Sequence, residues 1–134
     1  MSEKTRPEAA LATERRILIV EDEILVRMLI GEAIRDAGYR VAEAPDADAA
    51  LAYLKSGKRV DLVLTDIHMP GSMSGLVLAK SLETEYPEIK VILTSGSMPV
   101  SITQSIAPFL RKPYSVPEAL ALISHMLRQK PSNG

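Results

Sequence analysis

The sequence predicts an α/β domain: a doubly wound, five-stranded parallel sheet with helices on both faces. Three observations carry that expectation. Short apolar runs without polar alternation, "ILIV" at Ile17 to Val20 and "DLVL" at Asp61 to Leu64, suit strands buried on both sides. Segments with helical apolar spacing separate the strands in regular alternation. Acidic, hydroxyl and basic residues gather just after the strands, at the end of the sheet where such folds bind ligands.

Taken in order, residues 1–14 are polar and Ala-rich and read as a flexible N-terminal tail, with the domain itself over 15–130. After "ILIV" comes "EDEILVRMLIGEAIRDAG", with Val26, Ile30, Ala33 and Ala37 at helical spacing and Gly38 as a stop. "YRVAEA" is a weak second strand. Asp46 suits the N-cap of a second helix that Gly57 ends. "DLVL" is the third strand, and "SGLVLAKSLETEYP" a third helix stopped by Pro87. "KVILT" is the fourth strand and "FLR" a short fifth. In the last helix, Ser115-Val116-Pro117-Glu118 fits a capping box with proline in the first turn, where its missing N–H costs nothing. Residues 131–134 read as a frayed end.

Composition narrows the function. The 134 residues suit one domain, and a chain of this size buries roughly 65–70% of its unfolded surface. Sixteen basic residues stand against seventeen acidic ones, a net charge of −1. With no clustered basic face, no nucleic-acid partner is expected. No apolar run approaches the ~18 residues of a membrane span, and the first residues lack the apolar segment of a secretory signal. The chain has no cysteine, which excludes disulfides and thiolate catalysis. A cytoplasmic location is expected.

The strand ends carry the chemistry. Glu21, Asp22 and Glu23 follow strand one, and Asp66 follows strand three. Thr94, Ser95 and Gly96 follow strand four, and Lys112-Pro113 follows strand five. If strands one and three are neighbours, about 4.8 Å apart, Glu21, Asp22 and Asp66 meet in one crevice. Carboxylates that close stay ionised together only beside a cation. An oxygen-only set points to Mg²⁺ or a similar hard ion. Mg²⁺, a carboxylate nucleophile, a hydroxyl and a lysine form a phosphoryl-handling set, with Asp66 as acceptor. Glu23 serves the positive end of the first helix instead.

On "ILIVEDE", "VLTDIHMPG…SGL", "VILTSG" and "LRKPY", in that order over residues 16–114, the chain resembles the response-regulator receiver domains of bacterial two-component signalling. The resemblance implies a flavodoxin-like, CheY-like sheet of strand order 2-1-3-4-5. It implies Asp66 as phosphoacceptor, Asp22 as a direct Mg²⁺ ligand, and Glu21 as a ligand directly or through water. The backbone carbonyl of His68 would be the remaining protein ligand. Ser95 would be the switch hydroxyl, with Thr94 its competitor, and Phe109 the switch aromatic. Lys112 would pair with the phosphoryl group, with the Lys112–Pro113 bond cis.

Two departures stand out. Nine positions separate Asp66 from Gly75, one more than is usual, with Gly71 and Ser72 placed to absorb the extra residue. Lys112 comes 17 positions after Ser95, fewer than is usual, and residues 97–108 include Pro99 and Pro108. A short, irregular or missing fourth helix is expected there.

The function so implied is a switch: a sensor histidine kinase or phosphotransfer protein donates to Asp66. The face of the fourth helix, fifth strand and fifth helix then controls binding of an unknown downstream protein. It is not an enzyme beyond assisting its own phosphorylation and dephosphorylation. Because the chain stops after the last helix, it is expected to stand alone without a DNA-binding output domain, or to be a phosphate relay, or a piece of a hybrid kinase. The enzyme alternative is a Mg²⁺-dependent phosphatase with an aspartate nucleophile. That class wants a second aspartate where this chain has His68. A nucleotide-binding module fails because "EDEI" lacks the glycines a pyrophosphate needs. A receiver-like scaffold that is never phosphorylated is the remaining alternative.

Overall fold

Apolar residues alternate between two cores along each inner strand, and that alternation sets the layers. In strand β1 (Arg16–Val20), Ile17 and Ile19 enter one core while Leu18 and Val20 enter the other. The computed structural model describes residues 14–69, 71, 73–96 and 107–128. Expectations for the tail, for the frayed end and for most of residues 97–108 lie outside these residues.

The other elements are α1 (Ile24–Asp36), β2 (Arg40–Ala44), α2 (Ala47–Lys55), β3 (Leu62–Asp66) and α3 (Gly75–Glu85). They continue with β4 (Lys90–Ser95), β5 (Phe109–Arg111) and α4 (Val116–Arg128), the last helix. All four strand pairings are parallel, in the order β2-β1-β3-β4-β5. Ile30 and Ile34 of α1 and Ala119, Ile123 and Met126 of α4 cover one face. Ala47, Ala50 and Leu54 of α2 and Leu78 and Leu82 of α3 cover the other. The expected doubly wound sheet is the observed one.

Local signals explain the ends. Asp46 accepts the Ala49 N–H at 2.8 Å and caps α2. Gly38 and Gly57 stop α1 and α2 with φ of 103° and 90°, a region that glycine enters without strain. Ser115 and Glu118 exchange the reciprocal bonds of a capping box, at 3.1 and 2.9 Å.

One detail differs from the sequence reading. The buried stripe of α1 is Ile30, Gly31 and Ile34, while Ala37 is exposed. This helix is apolar on more than one side, and the sheet takes only one. Ile24, Leu25, Met28 and Leu29 therefore stay exposed.

The order places β1 at the centre of a reversal, since the chain leaves it for β2 and returns past it to β3. Crossovers on opposite faces open a crevice at the carboxyl ends of β1 and β3.

Candidate functional site

Each acidic residue is set in place by the strand that precedes it. The Glu21 N–H donates to the Ala44 carbonyl at 3.1 Å, which keeps this residue on the sheet rim just past β1. The residue is buried, at 4% exposure. Asp22, one step further, is exposed. Glu23 is the extended N-cap of α1, and its N–H donates to Glu21 Oε2 at 3.1 Å. The positive end of α1 thus faces the acids.

Asp66 ends β3 and is 7% exposed. The His68 N–H donates to its Oδ1 at 3.3 Å, and the His68 side chain is exposed. Two bonds hold the backbone beyond Asp66: the Ile67 N–H to the Thr94 carbonyl, and the Gly75 N–H to the Ile67 carbonyl, both 2.9 Å. Gly75 starts α3 against this loop. A methyl group there would overlap the Asp66 carbonyl oxygen and lie 2.8 Å from its carbon. Gly71, within the longer loop, has φ 106°.

From the other side, the Lys112 N–H donates to the Ser95 carbonyl at 3.0 Å, and the Lys112–Pro113 peptide is cis. The Lys112 side chain crosses the crevice, with Nζ 3.1 Å from both Glu21 Oε1 and Asp66 Oδ2. Glu21, Asp22 and Asp66 each offer one carboxylate oxygen within 4.8 Å of the other two.

The electrostatics follow from this crowding. Burial pushes the Glu21 carboxyl above its ordinary range, although the Glu23 N–H and Lys112 pull it back. Burial alone would lower Lys112, but its hydrogen bonds and charge contacts with Asp66 and Glu21 win, so it holds its proton above the usual lysine range. Burial also raises Tyr114, beside this group. Three carboxylates against one ammonium leave an excess of negative charge. The donors are all hard oxygens at nearly the ~4 Å spread of an Mg²⁺ shell, so the residues present fit that ion.

The remaining sequence candidates sit around this cluster. Thr94 pairs in register with Asp66, and Ser95 with Arg111; both hydroxyl residues are buried, at 2% and 1% exposure. Phe109 is half-buried and packs against the cluster of Ile67, Ala79, Leu93 and Ala107. One residue at the site has no place among the sequence candidates: Arg27, which donates to the Glu21 carbonyl at 2.7 Å. Gly75 stands in the expected third helix and in the "SGL" motif, but its contact with Asp66 is new. Nothing local in the sequence signals either contact.

No helix among the described residues is long and apolar enough to cross a membrane. The family model for the response regulator receiver domain matches residues 17–124. The sensor kinase CckA of Brucella abortus is 32% identical over 126 residues, 90% of this chain but 13% of the kinase. The solved receiver domain of the hybrid histidine kinase CckA is 31% identical, with a TM-score of 0.73, covering 84% of this chain and 99% of that one. The response regulator TrrA of Thermotoga maritima, solved in complex with Mg(2+)-BeF, is 29% identical with a TM-score of 0.76. That match covers 84% of this chain and 98% of TrrA. The chain spans 13–58% of the length of the first curated relatives it matches. A five-stranded sheet ordered 2-1-3-4-5, acids gathered at its switch point and a family match over most of the chain agree: it belongs to the response regulator receiver domains.

Proposed function

We propose that this chain is a phosphorylation-controlled switch, with residues 15–130 as its receiver domain and Asp66 as its phosphoacceptor. The observation that carries this reading is the meeting of Glu21, Asp22 and Asp66 within 4.8 Å of one another, with the Lys112 ammonium against Glu21 and Asp66. A phosphohistidine of a sensor kinase or phosphotransfer protein supplies the group. An Asp66 carboxylate oxygen attacks phosphorus in line, the P–N bond breaks, and the imidazole leaves with its bonding pair. An acyl phosphate remains on Asp66.

Glu21, Asp22, Asp66 and the His68 backbone carbonyl would hold Mg²⁺. When bound, that ion supplies positive charge to the phosphoryl oxygens. Lys112 already rests on Asp66 and turns from its carboxylate to a phosphoryl oxygen after transfer. The Ser95 hydroxyl donates to another oxygen. Phe109 follows inward, and the face carrying β4, β5 and α4 changes shape for a downstream protein. TrrA, solved with Mg(2+)-BeF, supports this reading by likeness.

Incubation with acetyl phosphate and Mg²⁺, read by intact-protein mass, tests it. The expected result is one phosphate-sized gain, absent in Asp66→Asn and after chelation. No gain with any donor favours the unphosphorylated scaffold.

A further inference from the structure

We infer that Arg27 is a positioning residue for the acids that hold the metal, an inference that rests on the switch reading above. Its side chain is 15% exposed and lies between α1 and the sheet rim. One guanidinium nitrogen donates to the Glu21 carbonyl at 2.7 Å, and Nε donates to Glu43 Oε1 at 3.2 Å. Glu43 precedes Ala44, whose carbonyl takes the Glu21 N–H. Both main-chain polar groups of Glu21 are therefore tied to the end of β2, one directly and one through Arg27.

The consequence is geometric. The Glu21 carbonyl and the Asp22 nitrogen share one planar peptide unit. Holding that carbonyl sets the plane from which Asp22 departs, as well as the backbone that aims the Glu21 carboxylate. Asp22 is exposed and gains little orientation from packing, so the peptide plane is its main constraint. Charge is balanced too: Glu43 lies against the guanidinium, so Arg27 brings a donor to the rim without a bare positive charge that would repel a metal.

The support is built into α1. Arg35 donates to the other Glu43 oxygen at 3.3 Å. Glycine is disfavoured inside a helix, yet Gly31 stands there, where a Cβ would come 3.2 Å from Glu43 Oε2. That space lets Glu43 reach both arginines.

Titration calorimetry with Mg²⁺ alone, without phosphodonor, separates positioning from mere attachment of α1. Arg27→Ala is expected to weaken Mg²⁺ about 10- to 100-fold, the usual cost of removing a group that orients a ligand. Arg27→Lys, which keeps a donor, recovers most of the loss. Arg35→Ala breaks the other helix–strand ion pair and stays within about twofold. In metal-free protein, amide hydrogen exchange at Asp22 and Glu23 is expected to quicken in Arg27→Ala and not in Arg35→Ala.

Wild-type affinity in Arg27→Ala, or an equal loss in Arg35→Ala, overturns the assignment and leaves the switch reading intact. If the wild type itself binds no Mg²⁺, the switch reading fails, and the metal-free exchange result decides the role of Arg27. Should Arg27→Ala not fold, Arg27→Gln provides the same comparison.

Discussion

Replacing Lys112 with methionine removes the cation that lies 3.1 Å from both Glu21 and Asp66 and leaves two buried carboxylates facing each other. Breaking a buried pair by removing one partner costs about 3–5 kcal/mol. The Lys112 side chain keeps 28% exposure against 6% and 8% for its partners. Water therefore reaches one side of the pair, and screening reduces the expected loss to about 2 kcal/mol. For a domain of this size that lowers Tm by roughly 8 °C.

Urea unfolding followed by circular dichroism in chelator, at neutral pH, measures it. The pH dependence has a definite sign. Burial alone would lower the lysine, but contacts with Asp66 and Glu21 outweigh it and its folded pKa is raised. Its stabilisation is thus complete below the ordinary value of 10.5 and is lost as pH rises through the folded value. The gap between wild type and variant should hold at neutral pH and close in strong alkali. A neutral-pH gap under about 0.5 kcal/mol, the range of an ordinary surface change, refutes the reasoning. So does a gap that ignores alkali.

Two further outcomes follow from the same geometry. Gly75→Ala drives a methyl into the Asp66 carbonyl, where the Gly75–Ile67 hydrogen bond resists retreat; overpacking of this kind costs about 3 kcal/mol. A thermal melt matching wild type would show that the loop yields freely. Glu21→Gln is expected to leave metal-free stability at neutral pH equal or higher, while weakening Mg²⁺ in calorimetry. Burial raises the folded pKa of Glu21, so its cost is absent below the ordinary 4.5 and grows as pH rises through the folded value. The stability difference from Glu21→Gln should therefore vanish in acid; a metal-free loss above about 1 kcal/mol, the worth of an ordinary hydrogen bond, contradicts this.

Much of the fold was legible because its signals are local. The capping pair Ser115 and Glu118 is three positions apart, and Gly38 and Gly57 carry their stops in their own backbone freedom. The continuous apolar runs announced strands buried on both faces, and the residues after them named the candidate acids. The α1 stripe was less clear, since Leu25, Met28 and Leu29 match helical spacing as well as Ile30 and Ile34 do.

Sequence alone thus determined the order of strands and helices, their ends and the chemistry carried at each strand terminus, because propensity and periodicity act within a few residues. Which termini meet came with the strand order that the resemblance implied, and tertiary structure alone decided the individual contacts between them. Lys112 reaches Glu21 across 91 positions, Gly75 seats against Asp66, and Arg27 grips the Glu21 carbonyl. The Lys112 contact depends on which strands lie side by side, and the other two on how α3 and α1 pack back against the sheet, choices made by packing two cores at once rather than by any short stretch of chain.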